Sequence, residues 1–429
     1  MPFAIYVLGL AVFAQGTSEF MLSGLNPDIA RELNISISAA GALTSAFAAG
    51  MIVGAPLMAV LSLRWPRRRA LLVFLVAFML VHVVGAVTSS FTVLLATRAL
   101  GALANAGFLA VGLATATGMV KPDAKGRATS VLLGGITLAC VAGAPAGAAL
   151  GQALGWRSAF WAVALICLPA VFAVLRSVPG GAPATGTPDG PADGGADGRP
   201  AGARSQLRAL RSPRLLLVLL LAALVNAATF CTYTYLGPLI TEVGGVSEDW
   251  VPAVLALFGL GSFAGATIGG RMSDTRPMLV LVPGGIALLA GWTLFTAAAG
   301  NQVIAFLLVF VQGTLSFAVG STLIARVLYA ATRAPSLGGA FATSALNVGA
   351  AAGPALGGAA IAAGLGYRSP LWLSALLVAA ALVTAGVAEA VRRVRRLRRT
   401  QHADGAQLRL GGPHDEAVRV QERSPRAEC

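Results

Sequence analysis

The chain has 429 residues, of which 56% are hydrophobic and only 11% charged, and its mean hydropathy is +0.78. A soluble domain carries about 25% charged residues, so a water-soluble fold of this length is excluded and lipid must be the main solvent. The formal net charge of +14 does not point to nucleic acid, because the basic residues fall in short clusters between apolar runs and in the last part of the chain, as topology charge does.

A helix crosses the hydrocarbon core with about 20 apolar residues. Runs of that size lie at about 4–25, 38–61, 70–88, 92–118, 129–153, 159–176, 214–236, 250–272, 278–299, 302–325, 337–364 and 370–390. The chain therefore reads as an all-α membrane protein with twelve transmembrane helices. The first run starts almost at Met1 without a basic n-region, so it reads as a retained span and not a cleaved signal. Cys140, Cys167, Cys231 and Cys429 have no metal spacing and imply no disulfide framework, so no cofactor or metal is expected.

With both termini cytoplasmic, 27 of the 31 Lys and Arg fall on the cytoplasmic side. Only Arg31, Arg157 and Arg368 fall outside, and Arg98 lies within a span. The positive-inside rule selects this orientation. Residues 178–213, rich in Gly, Pro, Ala and Asp, read as a flexible cytoplasmic linker. The linker separates a six-helix bundle at 1–177 from another at 214–390. The tail at 391–429 opens with VRRVRRLRR, suited to anionic headgroups, and is otherwise expected to be disordered.

The halves repeat at an offset of 211 residues: Pro27 with Pro238, Pro66 with Pro277, and GWRSAFW at 155–161 with GYRSPLW at 366–372. Two parallel six-helix repeats around a central cavity are the arrangement of the major facilitator fold.

The first span contains GTSEFMLSGLNPD at 16–28, with Glu19 in an otherwise apolar run. Gln15, Glu19, Ser23 and Asn26 follow at helical spacing and share one face. A carboxylate facing an apolar cavity is desolvated, which makes its protonation switchable. Arg98 opposes this by favouring the anion, so a permanent Glu19–Arg98 ion pair stands beside proton coupling as a reading. The turn after the second span, VLSLRWPRRRALL, carries Arg64, Arg67 and Arg68, and its repeat partner GGRMSDTRPMLVL carries Gly270, Asp274 and Arg276. The second resembles the major facilitator loop motif G-x-x-x-D-R/K-x-G-R, whose charges hold one conformation closed. The first has Leu63 in place of the Asp, and ordinary topology charge is the competing reading. His82 in the third span reads as a structural position.

The fourth span, LLATRALGALANAG, places Arg98 inside the membrane and Asn105 two turns further along the same face. An unpaired charge there costs at least about 2.5 kcal/mol, unless the side chain snorkels to the interface. Its R-x-x-G pattern resembles the family motif in which the arginine is tied to proton coupling. The fifth span sets Gly143, Gly147 and Gly151 on one face beside Pro145, spacing that lets backbones touch. The seventh span, NAATFCTYTYLGPL, supplies Asn226, Phe230 (the repeat partner of Glu19), Tyr233 and Tyr235 to the cavity wall, with Tyr235 alternatively an interface-belt residue. The eleventh opens with Asn347, another cavity candidate, and its Gly349, Gly353, Pro354 and Gly357 match the antiporter pattern G-x-x-x-G-P-x-x-G-G.

Taken together, the first span, SVLLGGITLACVAG, TFCTYTYLGPL and GTLSFAVGSTLI resemble the chloramphenicol-resistance exporters of actinomycetes, a twelve-span drug:proton antiporter branch of the major facilitator superfamily. The resemblance covers about residues 1–177 and 214–390. It implies a monomeric, non-enzymatic efflux transporter in the lipid bilayer of a bacterial cytoplasmic membrane that exchanges an amphenicol for protons. Neighbouring members export sugars, nucleosides or other drugs, and an uptake symporter of the same fold is the other alternative.

Overall fold

The computed structural model describes residues 2–62, 65–121, 124–178, 212–273, 275–331 and 338–410. In lipid no water satisfies backbone polar groups, so an apolar chain of this kind closes its hydrogen bonds within helices. Twelve helices are long and apolar enough to cross a bilayer. The first span is α1 (Phe3–Phe20) followed by α2 (Leu22–Glu32), and α3 (Ile37–Ser62), α4 (Arg67–Val87) and α5 (Phe91–Gly118) come next. The fifth span is α6 (Lys125–Leu138) and α7 (Ala144–Leu154) joined by a π turn at Ala139–Gly143, and α8 (Arg157–Ser177) closes the first half. The second half contains α9 (Pro213–Thr234), α10 (Val251–Met272), α11 (Pro277–Ala298), α12 (Gln302–Ala330), α13 (Gly338–Ala362) and α14 (Ser369–Leu410).

The first span is not the continuous helix its hydropathy predicts, because it breaks at Met21. Pro27 in α2 removes a backbone donor and crowds the preceding turn. The seventh span repeats the device: α9 stops at Thr234, and a π turn at Leu239–Val243 follows Pro238. The π turn of the fifth span likewise sits just before Pro145.

Helices in lipid gain little from burying apolar surface against each other, so close packing carries their association. Gly143, Gly147 and Gly151 of the fifth span face Thr17, Met21 and Leu25 of the first in turn. A Cβ on Gly147 would lie 2.8 Å from the Met21 Cβ. In the second half Gly349 and Gly353 of α13 pack on the α9 backbone, where added Cβ atoms would meet the amide nitrogens of Ala227 and Cys231 at 2.8 and 2.9 Å. The two glycine motifs thus perform the same packing in the two repeats. The core of the first half centres on Phe47, Phe74, Phe78, Phe108, Trp156 and Phe160.

One face of the molecule carries the turns at 33–36, 88–90, 155–156 and 363–368 and is poor in arginine. There the GWRSAFW segment is tied down: Trp156 Nε1 donates to Glu32 Oε2 at 2.6 Å, Arg157 pairs with Glu32, and Arg157 Nη2 donates to Thr88 O at 2.8 Å. Between the halves, Asn26 Nδ2 donates to Thr234 O (2.9 Å), Ser45 Oγ to Ala351 O (2.8 Å), Gln152 Nε2 to Glu248 O (2.5 Å) and Tyr233 Oη to Phe20 O (3.3 Å). Among the described residues every hydrogen bond between the halves lies from the level of Phe20 and Cys140 to this arginine-poor face. This face is closed.

The expected linker, from residue 179 to residue 211, and residues 411–429 lie outside the described residues. The tail departs from its expectation of disorder, since α14 runs on to Leu410. Arginine, leucine, alanine and glutamine are strong helix formers. Glu389 also pairs with Arg392 and Arg393 at 3.8 and 3.7 Å, one helical turn on. The described residues from Leu382 to Leu410 belong to a separate compact unit.

Candidate transport site

Phe3, Tyr6 and Leu10 form the exposed stripe of α1, with Phe13 half-buried on the same side. At 100° per residue Glu19 points to the opposite side. Glu19 is only half-buried, and its carboxylate bonds to none of the described residues. Its exposure is therefore toward an interior space between helices, not toward lipid. Gln15 and Ser23, expected on the same face, are buried, and neither amide atom of Gln15 has a partner. Asn26 donates to Thr234 O and leaves its own oxygen unpaired.

Arg98 is one of the largest fully buried side chains. It does not snorkel, and no ion pair joins it to Glu19. Instead Nη1 donates to Ser18 Oγ at 2.7 Å and Nη2 to Ser18 O at 2.8 Å. The guanidinium also lies 4.6 Å from the centroid of the Phe47 ring, a cation–π contact. Ser18 Oγ is 2.6 Å from His82 Nε2, and His82 Nδ1 donates to Phe78 O at 2.7 Å. The permanent Glu19–Arg98 ion pair is thus not the arrangement found. His82, read from sequence as structural, is part of the charged network.

Across the interface Phe20 stacks on Phe230 at 6.1 Å and meets Tyr233 edge-on at 6.1 Å. Tyr233 packs on Phe258 at 4.7 Å, and Phe258 on Phe317 at 6.3 Å. This aromatic wall begins at the residue next to Glu19. Phe20, Phe258 and Phe317 escaped the sequence reading because an aromatic residue in an apolar span carries no signal of its own. His82 carried one: it is the only histidine within a predicted span.

Other candidates lie elsewhere. Tyr235 is fully buried, donates to Pro354 O at 2.8 Å and presses on Gly41, Gly357 and Gly358, a helix-packing role and not a cavity or interface-belt position. Asn226 donates to Leu346 O at 2.6 Å and Asn347 to Thr343 O at 2.9 Å, so both amides are engaged with backbone. Asn105 reaches only Met51 Sδ at 3.6 Å and leaves its oxygen unpaired. Of the gating charges, Arg64 and Asp274 lie outside the described residues. Arg67 extends to Gly118 at the C-terminal end of α5, where free carbonyls favour a cation. Arg68 is half-buried and Arg276 exposed.

At the arginine-poor face a cleft of about 440 Å³ is lined by Pro27, Asp28, Arg31, Gln152, Glu242 and Glu248, among others. Burial pushes the Asp28 carboxyl above its usual range, with Arg31 opposing and Glu248 adding to the effect.

The family model of the Major Facilitator Superfamily matches residues 8–344. The chain is 54% identical over 388 residues to a chloramphenicol resistance protein of Streptomyces lividans, covering 90% of this chain and 96% of that one. It is 33% identical over 385 residues to the inner membrane transport protein YdhP of Escherichia coli K12, covering 89% and 94%. Its fold matches the crystal structure of a bacterial homolog to the human lysosomal transporter Spinster, with a TM-score of 0.70 at 17% identity over 90% of this chain and 96% of that one. At that identity the likeness shows the fold alone.

Proposed function

This chain belongs to the major facilitator superfamily and is a membrane transporter, not an enzyme, and we propose that it exports chloramphenicol-like amphenicols in exchange for protons. The observation that carries the substrate is the 54% identity, over nine-tenths of the chain, to a protein called a chloramphenicol resistance protein. Coupling is supported by Glu19, a carboxylate that bonds to none of the described residues and faces the interior beside a buried arginine. The charge distribution supports an outer arginine-poor face, with both termini cytoplasmic. On that orientation the conformation described here is closed to the outside.

In this reading the drug enters from the cytoplasm or the inner leaflet and its aromatic ring lies against the Phe20–Phe230–Tyr233 wall. A proton arriving from outside loads Glu19, and each occupant biases the rocking of the two bundles. Exchange of a neutral drug for one proton gains about 2.3 kcal/mol per 100 mV, plus the pH term.

The test is accumulation of labelled chloramphenicol in a pump-deficient host, with and without a protonophore. Cells carrying the transporter accumulate less drug, and collapse of the gradient abolishes the difference. Glu19→Gln removes the protection while protein level holds. Higher accumulation in energised cells instead identifies an uptake symporter. A substrate panel of florfenicol, cationic dyes and sugars sets the range.

A further inference from the structure

The hydrogen bonds around Arg98 fix where each proton sits. A carbonyl oxygen accepts only, so the 2.7 Å contact of His82 Nδ1 with Phe78 O places a proton on Nδ1. A guanidinium donates only, so Arg98 Nη1 gives its proton to Ser18 Oγ. The serine's own proton is then free to be given to His82 Nε2, 2.6 Å away, which must carry a lone pair. The chain runs in one direction, Arg98 to Ser18 to His82, and it needs a neutral His82. A second ring proton would turn Nε2 toward the same oxygen that Arg98 already occupies and set a cation beside a buried guanidinium.

The ring has little freedom to adopt another pose. Phe78 lies 4.2 Å and Phe160 5.8 Å from it, centroid to centroid. The guanidinium, held by both oxygens of Ser18, sits one residue away from Glu19 without an ion pair to it. The charged and titratable groups meeting here are Glu19 on α1, His82 on α4 and Arg98 on α5, with the Cys140 thiol of the π turn and the Tyr233 hydroxyl of α9 facing Glu19, while α3 and α8 present Phe47 and Phe160.

We propose that His82 is a positioning residue for proton coupling: by accepting the Ser18 hydroxyl it holds Ser18 as the docking point of Arg98 and keeps the guanidinium off the Glu19 carboxylate. Glu19 is then free to exchange its proton. Without the acceptor, Ser18 turns away and Arg98 closes on Glu19. The inference rests on the exporter reading for its consequence, but not for its geometry.

Two measurements on the full chain separate the two. Nitrogen NMR of the reconstituted, 15N-histidine-labelled protein, which has three histidines, assigns His82 by its loss in His82→Gln. A neutral ring protonated on Nδ1 is expected, and a doubly protonated ring or the Nε2–H form overturns the proposal. In proteoliposomes, gradient-driven chloramphenicol transport is expected to fall about tenfold in His82→Leu, the scale of an arginine seizing a nearby carboxylate. Drug counterflow without a gradient stays within about twofold, and His82→Gln, which offers both a donor and an acceptor, restores coupled transport. Added to Glu19→Gln, His82→Leu has no further effect, since no carboxylate remains to be captured. Equal loss of counterflow and coupled transport, or no rescue by glutamine, marks a merely structural histidine. If the wild type moves no amphenicol while the Nδ1–H form is present, the exporter reading fails and the hydrogen-bond chain stands.

Discussion

Gly41 and Tyr235 meet where the second, seventh and eleventh spans close the arginine-poor face. A side chain at Gly41 would put its Cβ in collision with the Tyr235 hydroxyl, and 2.6 and 2.8 Å from Tyr235 Cζ and Cε1. Tyr235 has no room to yield. It is fully buried, its hydroxyl is bonded to Pro354 O, and Gly357 and Gly358 press on it from α13. Overpacking of this kind costs about 1–3 kcal/mol. Loss of the Tyr235–Pro354 bond adds about 0.5–1.5 kcal/mol. Both terms bear on the closed state alone, because the two halves separate at this contact when the face opens.

Gly41→Val should therefore move the equilibrium toward the open face by about 1.5–4.5 kcal/mol, a population ratio of roughly 10- to 2000-fold. Spin labels on Arg31 and Glu248, which approach to 3.5 Å across the mouth, read the change as a distance distribution. The variant should show the long distance, lose drug resistance and keep its melting temperature in detergent within a few degrees. Tyr235→Phe removes the nearest colliding atom, so it should partly restore both the short distance and resistance to Gly41→Ala. An unchanged distance in Gly41→Val would refute the claim that this contact closes the face.

The ion pairs at the same mouth should matter far less. Arg31 and Glu248 are 66% and 65% exposed, so Arg31→Ala, read with the labels moved to other exposed positions of the mouth, should shift the closed–open equilibrium by no more than about 1 kcal/mol, and less in high salt. Asp28 supplies a pH term of defined sign. Its carboxyl is raised mainly by burial in the closed cleft, so the protonated form favours closure. That contribution is complete below the usual aspartate range and is lost as pH rises through the raised value; external acid should increase the closed fraction, and Asp28→Asn should flatten the dependence. Helix packing offers a matched pair of substitutions. Gly147→Ala, against Met21, should cost about 1–3 kcal/mol of stability, whereas Gly134→Ala, with open space around it, should be neutral or stabilising by up to about 1 kcal/mol. Melting curves in one detergent distinguish them.

Hydropathy and the 211-residue offset made the twelve helices and their six-plus-six division readable, because lipid leaves a chain few other ways to satisfy its backbone. The glycine motifs were readable for the same reason: spacing of four on a helix becomes a packing stripe wherever a neighbour exists. The partners were not. Nothing in the sequence near Arg98 says that Ser18 receives the guanidinium and Glu19 does not, since both lie on α1 and the choice depends on a side-chain direction set by α4. Tyr235 misled for a related reason. A hydroxyl in a span suggests a polar cavity, but here it serves a carbonyl, Pro354 O, in an α13 that has a proline within it.

The two repeats share their packing and divide their chemistry. At the offset of 211, Glu19, His82 and Arg98 face Phe230, Thr293 and Val309, so the charged network has no counterpart in the second half. Where the first half places Gly101 against Phe78 and His82, the second places Gln312, whose amide bonds to Leu288 O and bridges α12 to α11. The second half buries no charged side chain among the described residues and so avoids the desolvation cost of a charge, and it offers an apolar wall through Phe230, Tyr233 and Phe258. In the proposed exchange a single proton site also suits a neutral cargo, because each exchange would then move one charge and the membrane potential would drive every cycle. A second carboxylate at position 230 would demand a second proton per closure and would place a polar group in the stack with Phe20. Under the proposed mechanism, the asymmetry of the repeats is therefore what would let the same cavity hold a proton on one wall and an aromatic drug on the other.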